Sequence, residues 1–177
     1  DGQTYIDKHD LVRTQEFYQS GLLQKGHQAE TRAFTAEQIH DLFMEKIVTQ
    51  FDIAICETVT KSRSLIFQNA TEAMNSVLAN YEGAREAAGR DGRVFMRVID
   101  SKQIFAGQGL LAAHTLKLIG QNVSKNALRH EVETFSDKIY TCVIPRDLHY
   151  IRERARRRGD KSVSALVAFL GKALNIT

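Results

Sequence analysis

The stretch that most constrains what this chain can fold into runs from Val94 to Gly120, VFMRVIDSKQIFAGQGLLAAHTLKLIG. It opens on an apolar run, Val94-Phe95-Met96 and Val98-Ile99, which stops at Asp100-Ser101. Asp and Ser favour turns because their side chains can bond nearby main-chain amides. Gly107 and Gly109 follow, and then an Ala- and Leu-rich run of helical character. Strand, polar turn, small residues and helix make half of a βαβ unit. Ligands in such units gather at the carboxyl ends of the strands, which here means at Asp100 and Ser101.

The same pattern extends to both sides. Asp10 is placed to cap a helix through about Leu23, with Leu11, Phe17 and Tyr18 as its apolar positions. Thr35 and Gln38 fit a capping box, followed by Ile39, Leu42, Phe43 and Ile47 at helical spacing. Phe51 to Cys56 reads as a short buried strand. A polar loop from Glu57 to Ser64 leads into a long helix with Ile66, Ala70, Met74, Val77 and Tyr81 on one face. Gly89-Arg90-Asp91-Gly92 is a turn, and Ser124 caps a helix that turns Leu128, Val132 and Phe135 inward. Ile139 to Ile144 reads as a third strand, ended by Pro145. Asp147 to Arg158 reads as a basic helix, and Val163, Leu166, Val167, Leu170 and Leu174 mark a last amphipathic one. Strand and helix alternating from 36 to 156 predict an α/β fold with a parallel, helix-covered sheet.

Composition excludes several classes. The chain has 177 residues, 43% hydrophobic and 25% charged, which is a globular profile. A net charge of +3 argues against a nucleic-acid-binding stripe over the whole chain. No apolar run reaches membrane-spanning length and no signal peptide is evident. Cys56 and Cys142 sit in apolar, strand-like runs and are expected buried and reduced, as in a cytoplasmic protein. The chain starts at Asp1 on what looks like a loop and stops as a helix turns toward a strand, so it reads as a segment of a longer protein.

Few motifs carry chemistry on their own. The Ser/Thr-rich loop from Thr58 to Ser64 precedes a helix N-terminus, where free amides and the helix dipole favour a carboxylate or phosphate. The plainer reading is that Ser62 or Ser64 caps the helix. Thr31 to Thr35 is a helix-entry loop that gains meaning only if it faces that first loop. Gly107-Gln108-Gly109 resembles a piece of a dinucleotide fingerprint, but position 112 is Ala, and close helix packing is the better account. The six histidines show no metal-ligand spacing, and His114 reads as a packed core residue. Arg152, Arg154, Arg156, Arg157 and Arg158 form a basic face suited to solvent or protein docking.

These residues resemble the DegV family, bacterial lipid-binding proteins with a two-domain α/β (EDD-type) fold. VIDSKQIFAGQG followed by an apolar helix is similar to the family's central signature. Tyr5-Ile6-Asp7 and Glu16-Phe17-Tyr18 resemble its early "Y-x-D" and "E-F-Y" segments. Thr31 to Thr35 occupies the place of T-S-Q-P-S, and Thr60 to Ala70 that of S-S-x-L-S-G-T-Y-Q-S-A. Asp147-Leu148-His149-Tyr150-Ile151 resembles "D-L-x-Y-L", and Leu174-Asn175-Ile176 resembles "L-N-I". The departures are that Arg32 replaces the first Ser of T-S-Q-P, Leu65-Ile66 replaces Gly-Thr, and Asp160 to Val163 stands for G-G-R-I. The family's first strand has no counterpart and its second domain is largely missing.

The resemblance implies a DegV-like N-terminal domain over 1–158, with 159–177 a linker helix and the start of the second domain. It implies a long-chain fatty acid in a tunnel, its carboxylate held by Thr31 and Ser64, with Ser62 and Arg32 as weaker candidates. It implies a carrier that presents the lipid to a fatty acid kinase, with no catalytic residues, cofactor, metal or nucleic-acid partner of its own. Arg154, Arg157 and Arg158 are candidates for the kinase contact. The competing readings are an α/β enzyme acting on a small acidic or phosphorylated metabolite, and a nucleic-acid or regulatory binder using the arginine helix. The last predicts binding that falls steeply with salt.

Overall fold

The computed structural model describes residues 10–22, 24 and 31–143. The chain divides into two compact units, Asp1–Ile139 and Tyr140–Thr177. In the second, only residues 140–143 are described, and they form no helix or strand.

The first unit is built around two parallel strands, β1 (Ile53–Thr58) and β2 (Phe95–Asp100), paired from Ile53 with Phe95 to Thr58 with Asp100. Side chains alternate across a sheet, and here the alternation sends them into two separate cores. Ala54, Cys56, Met96 and Val98 face one cluster with Ile39, Phe43, Val48, Ala70, Ala73, Val77 and Tyr81. Ile55 and Ile99 face another with Leu111, Leu118, Leu128, Val132 and Ile139. Both faces are therefore helix-covered, as predicted. Leu111 is fully buried, and its truncation to Ala would cost about 2–5 kcal/mol.

On the first face lie α2 (Ala36–Leu42), which runs on through a π-helical turn at Phe43–Val48, and α3 (Ile66–Asn80). The predicted capping box starts α2: Thr35 Oγ1 accepts from the Gln38 amide and Gln38 Oε1 from the Thr35 amide. On the other face lie α5 (Ala106–Gly120) and α6 (Lys125–Ser136), the latter capped by Ser124 as expected. A short α4 (Glu82–Ala87) leads to the turn before β2, where Gly89 and Gly92 take the left-handed φ of +67° and +79° that glycine tolerates. An earlier helix, α1 (Leu11–Gln19), starts at the predicted cap, Asp10, whose Oδ1 accepts from Val12 and Arg13 amides.

Several expectations are corrected. α1 ends at Gln19 rather than near Leu23 and buries none of its residues, so Leu11 and Tyr18 are exposed. Residues 139–143 of the predicted third strand are not strand. Ile139 instead joins the α5–α6 cluster, while Tyr140 and Val143 are exposed. Without that strand Cys142 is exposed, and Cys56 is half-buried. Gly107 is buried at the start of α5, and nothing approaches Gly109, so the close packing expected of the pair does not hold at Gly109. His114 is half-buried and stacks on Phe135, ring centroids 3.8 Å apart. The predicted segments at 4–6, 147–158 and 163–174 lie outside the described residues.

Candidate functional site

The carboxyl ends of β1 and β2 deliver two loops to one place, and the polar turn after β2 binds them together. Asp100 Oδ1 accepts from the main-chain amides of Lys61 (3.1 Å) and Lys102 (2.9 Å). The Thr60 amide donates to the Gln103 carbonyl at 3.0 Å and the Ser101 amide to the Thr58 carbonyl at 3.2 Å. Ser101 is fully buried, and its Oγ accepts from the Gln103 amide. Gln103 reaches on to the Ile139 carbonyl at 2.9 Å. Asp100 and Ser101, placed by the sequence pattern at a ligand position, thus hold the scaffold on which the β1–α3 loop rests.

That loop ends at Ser64, half-buried, whose Oγ accepts from the Ile66 amide at 3.2 Å. This bond falls just ahead of α3, whose N-cap position is Leu65 and carries no side-chain cap, so the capping role expected of Ser64 is reduced to a local turn. Ser62 is exposed, its Oγ 3.2 Å from Thr60 Oγ1. α3 has no acidic residue in its first turn, so nothing from its own sequence neutralises the positive end of its dipole. Along this end of α3 runs an open groove of about 610 Å³ lined by Lys61, Ser64, Leu65, Gln68 and Thr71 among others. Lys61 Nζ lies 5.9 Å from the centre of the Phe67 ring in the same groove. The groove combines the Lys61 ammonium, the Ser64 hydroxyl and apolar surface near the start of α3, with the Glu72 carboxylate further along the helix, so the anion-favouring end is the one at Lys61 and Ser64.

The Thr31–Thr35 loop lies against the same end of α3. Asn69 Nδ2, in the helix's early turns, donates to the Phe34 carbonyl at 2.6 Å. α2 and α3 therefore begin near one another, and the Thr31–Thr35 loop meets α3 about one turn beyond the Ser64 loop. Thr31 and Arg32 are exposed. Thr31 is three residues from Phe34, so it lies within about 11 Å of it. Of the predicted ligand residues, Thr31, Arg32, Ser62 and Ser64 all sit on these neighbouring loops, whereas Arg154, Arg157 and Arg158 lie outside the described residues. Sequence reasoning missed Asn69 and Lys61. The one available signal was an amide-bearing residue in a helix's early turns and a cation in a Ser/Thr loop.

Other titratable groups are arranged away from chemistry. Burial raises the Cys56 thiol, and the neighbouring Glu57 charge raises it further, which makes it a poor nucleophile. Burial likewise raises Glu57, against the lowering effect of its hydrogen bond from Thr115 on α5. Among the described residues no group of three or more His, Cys, Asp or Glu is placed to hold a metal ion. Among them, too, no helix is long and apolar enough to cross a membrane.

The family profile described as "Uncharacterised protein, DegV family" matches residues 1–177. The chain belongs to the DegV family. DegV domain-containing proteins of Xanthomonas campestris pv. campestris and Xanthomonas axonopodis pv. citri are each 41% identical to it over 170 residues. The match covers 96% of this chain and 54% of theirs, so the chain spans about half the length of the curated relatives it matches. Among solved structures, a DegV family protein of Ruminococcus gnavus shares the fold with a TM-score of 0.68 at 17% identity, over 88% of this chain and 50% of that one. A second, from Eubacterium eligens, gives a TM-score of 0.54 at 16% identity, over 78% of this chain and 41% of that one. The first is described with vaccenic acid, the second as loaded with heptadecanoic acid. The family and the α/β class with a parallel, helix-covered sheet both agree with the sequence reading.

Proposed function

We propose that this DegV chain is the N-terminal part of a carrier for a long-chain fatty acid, with the carboxylate at the start of α3. The observation that supports the proposal is the Asn69–Phe34 hydrogen bond, which ties the Thr31–Thr35 loop to the first turns of the helix that follows the Ser64 loop. Thr31 and Ser64 supply the principal hydroxyls, with Ser62 and Arg32 beside them. Two proteins of this fold described with vaccenic and heptadecanoic acids support the ligand class. Affinity comes from the acyl chain, which gains about 0.8 kcal/mol for each buried methylene. The polar head contributes orientation and selectivity more than free energy.

In this reading the protein performs no catalysis, needs no cofactor and works in the cytoplasm. Residues 1–158 form the DegV-like domain and 159–177 lead into the second one. The bound acid is presented to a fatty acid kinase, with Arg154, Arg157 and Arg158 as the contact face. Charge reversal at Arg154 and Arg157 should weaken that association and leave lipid content unchanged; unaltered kinase binding would remove this part of the proposal. The reading as a whole is tested by gentle extraction of the purified protein and mass spectrometry of what is released. A stoichiometric long-chain fatty acid is expected. Absence of any fatty acid, even after incubation with oleate or palmitate, would contradict it.

A further inference from the structure

Building on the fatty-acid reading, we infer that Asn69 is the positioning residue of the head-group site, setting the separation between the Thr31 loop and the Ser64 loop. The two candidate hydroxyl loops come from different parts of the chain and are not joined by any strand. The Ser64 loop is tied down at several points: Asp100 holds the Lys61 amide, the Gln103 carbonyl holds the Thr60 amide, and Ser64 Oγ accepts from the Ile66 amide. The Thr31–Thr35 loop has no regular structure. Its downstream end is fixed along its own helix by the Thr35–Gln38 capping box. Asn69 fixes it laterally to the other helix, through a solvent-accessible hydrogen bond from its side-chain amide to the Phe34 carbonyl at 2.6 Å.

That lateral tie matters for a two-loop carboxylate site. Hydroxyl-to-carboxylate hydrogen bonds work only over about 2.5–3.0 Å. A shift of about 1 Å in one loop therefore removes its donor while leaving the other in place. Burial of the acyl chain, spread over many methylenes, is far less sensitive to the position of one loop. Loss of Asn69 should thus act on the carboxylate and not on the chain. The signature is a change in selectivity between ligands that differ only in the head group.

The experiment compares oleate with oleyl alcohol, the same chain without the carboxylate, by equilibrium binding to the purified wild-type protein, Asn69→Ala and Asn69→Leu. Leu keeps the branched heavy-atom shape of Asn without its donor, so the two variants separate lost packing from a lost hydrogen bond. The wild type is expected to prefer oleate. Both variants should bind oleate about ten-fold more weakly, the usual value of a hydrogen bond to a charged group, with oleyl alcohol unchanged. Equal weakening of both ligands would make Asn69 merely structural and overturn the inference, as would unchanged oleate binding. A wild type that binds neither ligand would instead overturn the fatty-acid reading itself. One that binds both equally would remove the carboxylate site, and the role of Asn69 with it.

Discussion

Arg85 offers the sharpest test of what holds this domain together. It is only 2% exposed, yet it carries a charge. Its guanidinium donates to the carbonyls of Val48 and Phe51 (both 2.9 Å), Asp91 (3.0 Å) and Gly92 (3.1 Å), and to Asp52 Oδ1 at 2.6 Å. It thereby joins the end of the π-helical turn, the approach to β1 and the turn before β2. The planar fork of donors suits this spread of acceptors in a way a single ammonium does not. Replacing Arg85 with Ala strips partners from buried carbonyls, each worth about 1–3 kcal/mol if left unmet. Asp52 is exposed and water reaches the carbonyls near the surface turn, so the total should be limited to about 3–5 kcal/mol, the loss of one or two carbonyls that stay buried. That is a large share of a total stability of about 5–15 kcal/mol. Urea unfolding followed by circular dichroism should show the midpoint falling by about 1.5–2.5 M for a typical slope near 2 kcal/mol/M. Arg85→Lys should recover only part of the loss. A loss below about 1 kcal/mol for Arg85→Ala would show that water replaces the network at little cost and would refute the argument.

Three further outcomes follow from charge and exposure. Hydrogen bonds from Arg90 and Arg85 hold the Asp52 carboxyl at about 2, below its ordinary 3.8. Its stabilising contribution is thus complete above 3.8 and is lost as the pH falls through about 2, and Asp52→Asn should flatten this acid limb of the stability curve. Burial moves Glu57 in the opposite direction, so its ionisation should penalise folding as the pH rises above its ordinary 4.5. Glu57→Gln should make the protein more stable than wild type at neutral pH in thermal denaturation, and a destabilised variant would show that the Thr115 contact outweighs the burial cost. A thiol reagent should modify exposed Cys142 quickly and half-buried Cys56 slowly, because burial also raises the Cys56 thiol; equal rates would contradict this.

Much of the fold was legible because local signals agreed with one another. The capping box at Thr35, the caps at Asp10 and Ser124, and the glycines at 89 and 92 each announce a boundary that the structure keeps. The two strands were visible as apolar runs broken by polar turns. Arg85 was not legible, because an arginine between Gly83 and Glu86 reads as a solvated charge. Only the convergence of carbonyls from residues 48–51 and 91–92 explains its burial. The third strand failed for a related reason: an apolar run shows strand propensity but not whether a partner strand is there to pair with it. At the candidate site, the hydroxyl-bearing loops were named from residue type and family resemblance. The Asn69 tie spans 35 positions in the chain and left no periodic mark.

The central claim is that the Thr31 and Ser64 loops together hold a fatty-acid carboxylate. Its most direct test is oleate binding to the purified protein beside the Thr31→Ala, Ser64→Ala double variant, with far-UV circular dichroism confirming that both are folded. The account predicts tight binding by the wild type and a loss of about 100-fold or more in the variant, as two charge-assisted hydrogen bonds disappear. A double variant that stays folded and binds oleate as tightly as the wild type would place the carboxylate elsewhere and contradict the account.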